Sequence, residues 1–299
     1  MSNPTQIVQD LSVNYYKQSV RGRRNKYSLS SANVNHIVGK ARDFLGTGEY
    51  LEALDLYEQA HDKFPEYSGE ILGEVYELYK VLPQDRYSSY QSRHFNFAIG
   101  LHDKVLDIGS GHLPFPLATH LAEYAIQDSN FGRAGVPFKF IDGKPVTECS
   151  VESMPFADKE FDFVYCSHVL EHVESPEKAC NELMRVSKSG YIETPLRGKD
   201  LFLNTGKISN HIWGIEYLQN KLIFTEYNEE ELLGLQNGIL LEMHVNPQTA
   251  REKAFSSLVC LKSDRVNVMM VWKDEFSFEV RRLDGSIYVK NVSIPVPKK

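Results

Sequence analysis

The first 97 residues carry apolar side chains at the spacing of amphipathic helices. Apolar positions recur every three or four residues over 38–60, and Gly46-Thr47-Gly48 interrupts them, so the pattern predicts two helices joined by a turn. A further helix is predicted over Gly69–Val81, because Pro83 follows closely and cannot continue a helix. Residues 1–97 are therefore predicted to form an N-terminal helical region.

One stretch of this region, Leu45–Ala60, resembles a single tetratricopeptide-like helix pair. Repeats of that kind need about three copies before neighbouring units bury a continuous core, and only one convincing copy is present. We therefore expect a helix pair that packs on the main domain, and not a peptide-binding array.

From about residue 98 the pattern changes to short apolar runs that alternate with helical stretches. This alternation is typical of a parallel sheet with crossover helices. A helix is predicted over Pro176–Val186, with Ser175 as its cap, and Asp142-Gly143 predicts a hairpin. The predicted strands of this region are Lys104–Ile108, Tyr124–Gln127, Val146–Val151, Phe161–Cys166 and Tyr191–Glu193.

The last third of the chain is richer in aromatic and β-branched residues, which favour strands. Asn228 followed by three glutamates predicts a capped helix start, and Asp284-Gly285 predicts a second hairpin. The predicted strands are Leu222–Thr225, Ile239–Val245, Val266–Trp272, Phe276–Arg281 and Ser286–Val289.

Composition and charge narrow the class of protein. Hydrophobic residues make up 42% and charged residues 24% of the chain, which is typical of a soluble globular protein. No apolar run approaches the roughly 20 residues of a membrane span, and the N-terminus does not have the pattern of a secretory signal. The net charge of −7 argues against nucleic-acid binding. Four widely spaced cysteines without a CxxC pair favour a cytoplasmic protein without disulfide bonds.

The first predicted strand of the sheet runs into the pattern Asp107-Ile-Gly-Ser-Gly111. Glycines permit a tight turn there and let a ligand approach the backbone amides. The turn follows the carboxyl end of the strand, where open α/β sheets bind ligands. Asp107 is placed to attract the ammonium group of an amino-acid ligand.

This pattern resembles the first motif of class I S-adenosylmethionine (SAM)-dependent methyltransferases, especially the type 11 group. Asp107, Gly109 and Gly111 match the motif, while Leu113 replaces its third glycine. The resemblance implies an α/β fold with a Rossmann-like, mostly parallel seven-stranded sheet and flanking helices. The N-terminal helical region and C-terminal hairpins are additions to that fold. The methyltransferase domain is expected over 98–299, with the cofactor half at 98–200 and the acceptor side at 201–299.

The resemblance also implies a set of cofactor-binding residues for SAM and its product S-adenosylhomocysteine. Asp128 follows Asp107 by 21 residues and is expected to hold the ribose hydroxyls, unless it only opens a loop. Ser150 stands where the family has an adenine-binding acid, so Ser150 or Glu152 is expected to substitute. Met154 and Phe156 are either adenine walls or core residues. The cofactor set is Asp107, Ile108, Gly109, Ser110, Gly111, Asp128, Ser150, Val151, Glu152 and Ser167.

The stretch from Val164 to Val173 resembles the fourth motif of the family and supplies the catalytic candidates. It places Ser167 and His168 at the end of the fourth strand, where the sulfonium methyl group is expected. His168 is the candidate general base for a hydroxyl acceptor, with His172 as the second candidate. Glu171 and His172 also suit a structural role.

A metal site in the same stretch is an alternative. His168, Glu171 and His172 would share one face of a helix, and their side chains are competent ligands. Methyl transfer from a sulfonium needs no metal, so no metal ion is expected.

His211 and Trp213 lie in a predicted loop after the fifth strand and are the candidate acceptor-binding residues, although Trp213 also suits a role in covering the sheet edge. The predicted activity is O-methylation of a polar small molecule or sugar-containing metabolite. Alternatives are an N- or C-methyltransferase, an inactive SAM-fold scaffold and a nucleotide-dependent oxidoreductase, which would need a third glycine where Pro114 stands. The expected partner is a small-molecule acceptor, without nucleic acid or membrane, and a homodimer is left open.

Overall fold

The computed structural model describes residues 33–81, 91, 93–95, 97–130, 132–203, 205, 210–233 and 238–292. The parts of the predicted helical region at 1–32 and 82–90, including Pro83, lie outside the described residues. The helices are α1 (Val34–Gly46), α2 (Tyr50–Lys63), α3 (Ser68–Val81), α4 (Pro176–Val186), α5 (Arg197–Leu203), α6 (Glu229–Leu233), α7 (Ile239–Val245), α8 (Ala250–Leu261) and α9 (Ser263–Val266).

The strands alternate with these helices only in the middle of the chain. They are β1 (Val105–Ile108), β2 (His120–Glu123), β3 (Val146–Glu148), β4 (Phe163–Ser167), β5 (Ser189–Pro195), β6 (Trp213–Leu218), β7 (Lys221–Glu226), β8 (Asn267–Lys273), β9 (Ser277–Arg281) and β10 (Ile287–Lys290).

The chain divides into two compact units. The first contains Met1–Ala98 and Ile239–Arg265, and the second contains Ile99–Gly238 and Val266–Lys299. The segment Ile239–Arg265, which the sequence places among the acceptor-side strands, thus groups with the N-terminal helices.

The first unit is a helical core built from α1, α2, α3 and α8. Ile37, Leu54, Tyr57 and Leu261 are fully buried within it, as the amphipathic spacing of the sequence predicts. The strand predicted over Ile239–Val245 is wrong, because these residues form helix α7. A short apolar run cannot be told from a helix by its pattern alone.

The second unit contains a six-stranded sheet in the order β3-β2-β1-β4-β5-β8. Its first five strands are parallel, and β8 runs antiparallel to β5. The prediction of seven strands is wrong in the described residues, since the strands that follow β8 leave this sheet. Asp274, with φ of 62°, turns the chain after β8, and β9 then pairs with β7 instead of returning to β8.

The remaining strands form a second sheet in the order β10-β9-β7-β6. The hairpin predicted at Asp284-Gly285 is confirmed, because it joins antiparallel strands β9 and β10. Strand β6 is an addition that the sequence analysis assigned to a loop. It pairs in antiparallel fashion with β7, and the two strands are joined by a turn at Gln219 and Asn220. Both residues have positive φ, as a two-residue type I′ hairpin turn requires.

Strand β2 lies four residues earlier than the strand predicted over Tyr124–Gln127. The reason is the buried side chain of Arg133. Its Nη2 donates to the carbonyls of Ala125, Ile126 and Asp128 at 2.8–2.9 Å. These carbonyls are therefore directed at a guanidinium instead of at a neighbouring strand.

The connections between the first three strands lack the crossover helices expected of this fold class. Residues 109–119, all of them described, form turns and no helix, and the described residues of 124–145 also contain none. The hairpin predicted at Asp142-Gly143 is wrong. The turn exists, closed by a hydrogen bond of 3.1 Å from Lys144 N–H to the Ile141 carbonyl, but the strand that follows it, β3, pairs in parallel with β2 instead of with a strand just before the turn. Helix α4, in contrast, begins and ends as predicted and buries Leu183 and Met184.

All four cysteines lie in the described part of the chain as free thiols. Among the described helices, none has both the length and the apolar character that crossing a membrane demands.

Candidate functional site

The carboxyl ends of the parallel strands β1, β2, β4 and β5 meet at one edge of the six-stranded sheet, which is where open α/β sheets bind ligands. Asp107 in β1 is only 2% exposed. Its Oδ2 accepts a hydrogen bond of 2.7 Å from Phe115 N–H. One oxygen of the predicted ammonium-binding acid thus also anchors the β1–β2 connection.

The glycine turn after β1 has the backbone that the motif predicts. Gly109 and Gly111 have φ of 72° and 52°, in the region that glycine adopts without steric cost. The amides of Gly109 and Ser110 both donate to the Ala122 carbonyl, at 2.8 and 3.2 Å. A Cβ on Gly109 would lie 2.4 Å from Cγ2 of Val169, so the turn packs tightly against the segment after β4.

The acid at the end of β2 is Glu123, which the sequence analysis missed. It is buried, and Oε2 accepts from Gly111 N–H at 2.9 Å. Asp128, the predicted ribose ligand, is exposed, and its Oδ1 accepts from Asn130 N–H at 3.0 Å. Asp128 therefore forms the loop-opening turn that was its alternative role. The signal for Glu123 was available, because it directly follows the apolar pair Leu121-Ala122.

The segment after β3 is tied to the start of helix α4. Glu152 Oε1 accepts from the amides of Glu174 and Ser175, at 2.7 and 3.2 Å. Ser175 occupies the N-cap position as predicted, but its side chain makes no capping hydrogen bond, and Glu152 binds this helix start instead. The Ser150 hydroxyl accepts from Glu152 N–H at 3.1 Å, and Val151 is buried in the core.

Met154 and Phe156 also pack on the core of the second unit. Phe156 contacts Phe161 edge-on, with ring centroids 5.0 Å apart. These contacts agree with the core alternative for both residues.

The segment after β4 brings buried charges together. His168 has φ of 57°, a conformation that costs a residue with a Cβ about 1–2 kcal/mol and is typical of functional sites. Its Nδ1 lies 3.2 Å from Oε1 of Glu171, and its Nε2 lies 3.4 Å from Oε1 of Glu193. The side chain of His168 is 25% exposed, whereas those of the two glutamates are at most 1% exposed.

Glu171 is held ionised by its neighbours. Burial alone would raise the pKa of this carboxyl, but the hydrogen bond with His168 and the charges of three nearby histidines outweigh burial and lower the pKa below its ordinary value. The pKa of His172 is also lowered, chiefly because burial penalises the charged imidazole. A neutral imidazole keeps a lone pair for binding a proton or a metal ion.

His168, Glu171 and His172 do not share the helical face predicted from their spacing, because residues 170–172 form a single 3₁₀ turn. The ring of His168 faces Glu193, whereas the ring of His172 faces His211, with centroids 4.7 Å apart and nearly perpendicular planes.

His211, a predicted acceptor-binding residue, is buried beside Asp200. The distance between its Nδ1 and Oδ2 of Asp200 is 2.8 Å. Asp200 also accepts hydrogen bonds from the hydroxyls of Thr205 and Tyr227, at 2.7 and 3.3 Å. The sequence analysis missed Asp200, whose place beside a loop histidine depends on tertiary structure.

Trp213, the second predicted acceptor residue, begins strand β6 and is 1% exposed. Its Nε1 donates to the Val173 carbonyl at 2.7 Å, and it packs within the core. Its surroundings are those of a residue that covers the sheet.

A protein-family model matches the part of the second unit that contains the glycine turn and the segment after β4. Residues 106–192, from β1 to β5, match the type 11 family model described as "Methyltransferase domain". This part of the chain is a methyltransferase domain. Over these residues the match confirms the resemblance to the type 11 methyltransferase group, while the tetratricopeptide resemblance of the N-terminal helices is not confirmed.

Solved structures similar to the chain share little sequence with it. A chain from the complex between the Haloferax volcanii Trm112 methyltransferase activator and the putative methyltransferase is 10% identical, over 64% of this chain and 89% of that chain, with a TM-score of 0.39. A possible histamine N-methyltransferase from Thermotoga maritima is 17% identical, over 60% of this chain and 76% of that chain, with a TM-score of 0.31. No curated protein sequence matches the chain.

The sheet edge of the methyltransferase domain contains two buried hydroxyls that a ligand could satisfy. The hydroxyls of Ser110 and Ser167 are buried without a hydrogen-bond partner among the described residues. Ser110 follows β1, and Ser167 is the last residue of the adjacent strand β4. A ligand with polar groups would satisfy both hydroxyls, since buried polar groups normally have partners.

Proposed function

We propose that the second unit transfers the methyl group of SAM to a hydroxyl of a polar small molecule, such as a sugar-containing metabolite. The observation that carries the proposal is the pair of buried acids, Asp107 and Glu123, which flank the glycine turn at the ends of adjacent strands. The carboxylate of Asp107 suits the ammonium group of the methionine part of SAM, and the carboxylate of Glu123 can accept hydrogen bonds from both ribose hydroxyls. Glu123 replaces Asp128 in the ribose role.

Around these acids, the proposed cofactor site keeps the turn from Ile108 to Gly111 and the hydroxyl of Ser167. Glu152 is assigned to the start of α4 instead of to adenine. Ser150 and Val151 stay in the adenine role, because they follow β3 at the same sheet edge. When bound, SAM supplies a methyl group activated by its sulfonium, and S-adenosylhomocysteine is the product.

The residues after β4 are proposed to serve the acceptor. Glu171 and Glu193 provide two carboxylates for the single imidazole of His168, so the group can take up the acceptor's hydroxyl proton without gaining a net positive charge. His168 is the most exposed member of this group, with a side chain that is 25% exposed. Its Nε2 would take the proton when the acceptor hydroxyl displaces the 3.4 Å contact between Nε2 and Oε1 of Glu193. The buried glutamates fix the ring and are positioning residues, and alignment of the reactants provides the remaining rate enhancement.

Calorimetric titration with SAM and S-adenosylhomocysteine tests the cofactor site. Both ligands are expected to bind the wild-type protein. Glu123→Gln is expected to weaken binding about 10-fold or more, since a bond to a charged group contributes roughly 1.5–3 kcal/mol. Asp128→Asn is the matched control and is expected to change the affinity less than about 2-fold.

Absence of binding by the wild-type protein would overturn the proposal. A large loss in Asp128→Asn with none in Glu123→Gln would return the ribose role to Asp128. The acceptor is then sought by mass spectrometry, as a gain of one methyl group that depends on SAM.

A further inference from the structure

We propose that Glu171, His172 and His211 form a binding site for a divalent transition-metal ion of the zinc class. One ligand atom from each of the three residues lies within 4.8 Å of the ligand atoms of the other two. All three residues belong to the second unit. The inference replaces the expectation that no metal is used, and it differs from the helical trio considered from the sequence because His211 takes the place of His168.

The ligand types suit this class of ion. Two imidazoles and one carboxylate are a known ligand set for zinc, with ligand distances of about 2.0–2.2 Å. In a tetrahedral site such ligands lie roughly 3.4 Å apart, so small side-chain rotations that draw the three atoms together would complete the site. Three protein ligands leave the fourth position open, as in sites where a metal binds a water or a substrate oxygen.

Glu171 contributes a second observation that points to a ligand. Its side chain is 1% exposed. Oε1 is bonded to His168, whereas Oε2 is buried without a hydrogen-bond partner among the described residues. A buried carboxylate oxygen without a donor is costly, and a cation beside His172 and His211 would satisfy it.

His211 has the supporting contact that a metal-bound imidazole usually has. Its Nδ1 lies 2.8 Å from the Asp200 carboxylate, which leaves Nε2 for the metal. The ring of His172 lies edge-on to the ring of His211, with centroids 4.7 Å apart. Partners such as Asp200 fix the tautomer and the ring orientation, and losing one typically weakens metal binding about 10–100-fold.

The backbone holds the two halves of the site together. Ile212 N–H donates to the Glu171 carbonyl at 2.8 Å, so the loop that carries His211 is tied directly to the turn that carries Glu171 and His172. The backbone therefore brings the three residues together before any ion binds, and side-chain rotations would complete the site.

Titration of the chelator-treated full chain with Co²⁺ tests the proposal without any methyl acceptor. We expect one Co²⁺ per chain, with the visible absorption of a four- or five-coordinate site, and displacement by Zn²⁺. X-ray absorption of the Co²⁺-loaded wild-type protein is expected to show two imidazole ligands. A wild-type protein that binds no Co²⁺, or binds it through thiolates or fewer imidazoles, would overturn the proposal.

Variants locate the ion. His172→Gln and His211→Gln are each expected to lose the absorption, and Asp200→Asn is expected to weaken binding about 10–100-fold. His102→Gln is the matched control, because His102 is exposed in the same unit, and it should bind like the wild type. Unchanged Co²⁺ affinity in both histidine variants would contradict the assignment. The measurement is independent of methyl transfer, so its failure leaves the proposed function standing.

Discussion

The glycine turn after β1 and the segment after β4 lie at the ends of neighbouring strands, yet they differ in chemistry. The backbone amides of the turn are satisfied within the protein, by the Ala122 carbonyl and by Glu123. The segment after β4 instead contains a strained histidine, His168, and the buried carboxylate of Glu171. The difference indicates that the turn fixes shape and that the second segment holds the reactive groups.

The two regions are coupled at one contact, where Gly109 faces Val169. Val169 directly follows His168, so any widening of the turn shifts the residue beside the proposed base. We therefore expect substitutions in the turn to change the free energy of unfolding and ligand binding through steric effects. Substitutions after β4 should instead change stability through the buried charges.

The largest effect is expected for Gly109→Ala. The positive φ of Gly109 would cost about 1–2 kcal/mol for alanine, and a Cβ 2.4 Å from Val169 adds an overpacking cost of about 1–3 kcal/mol. Urea unfolding should show a loss of about 3 kcal/mol, and SAM binding should be lost. Gly198→Ala is the control, since a Cβ on Gly198 would meet nothing within 4 Å.

The contact itself is tested by adding Val169→Ala to Gly109→Ala. Removing Cγ2 of Val169 is expected to restore part of the lost stability but not the cost of the positive φ. If the free energy of unfolding of the double variant falls by the sum of the losses in the two single variants, the turn and the segment after β4 are not coupled.

A smaller, pH-dependent effect is expected for Glu171→Gln. The folded-state pKa of Glu171 is lowered, so ionised Glu171 contributes stability that is fully present above the unfolded pKa of ~4.3 and is lost as the pH falls through the folded pKa. The variant should be about 2 kcal/mol less stable near neutral pH, because it loses a hydrogen bond to a charged group. The difference should shrink in acid.

Urea unfolding of the wild type and Glu171→Gln, from neutral pH down to below the ordinary carboxyl pKa of ~4.3, measures this effect. The lowered pKa of His172 destabilises both proteins as the pH falls below ~6.5, so it largely cancels in the comparison. Glu174→Gln is the control because Glu174 is exposed. A stability difference for Glu171→Gln that stays constant in acid would contradict the account of the buried carboxylate.

The smallest effect is expected for Tyr191→Phe. The Tyr191 hydroxyl donates to Oε2 of Glu193 at 2.5 Å, while the ring stacks on Tyr165 and is kept by the substitution. Losing one donor to a buried carboxylate should lower the unfolding free energy by about 1–2 kcal/mol. Tyr288→Phe, at a residue that is 42% exposed, should change it little; equal effects in the two variants would argue against the buried network.

Periodicity in the sequence was sufficient for the parallel core and for the helices α2, α3 and α4. It was insufficient where a distant side chain decides the local structure. Arg133 binds the carbonyls that follow β2 and so ends that strand at Glu123. The acid at the end of β2 was consequently missed, since a search for an acid about 20 residues after Asp107 reaches Asp128.

The same limit applies to the cluster around Glu171. The local motif contains His168, Glu171 and His172, and their spacing suggested one helical face. The 3₁₀ turn separates the rings, and tertiary contacts bring His211 and Asp200 close, among them the hydrogen bond from Ile212 N–H to the Glu171 carbonyl. Contacts between residues about 40 positions apart leave no periodic signal in a single sequence.

Hydrogen–deuterium exchange with and without SAM tests most directly whether the turn after β1 and the segment after β4 together bind this ligand. We predict slower exchange over residues 109–119, 150–152 and 167–172, with no comparable change in helices α1 to α3 and none with ATP as a control nucleotide. Unchanged exchange in these segments at saturating SAM, or protection confined to the helical unit, would contradict this prediction.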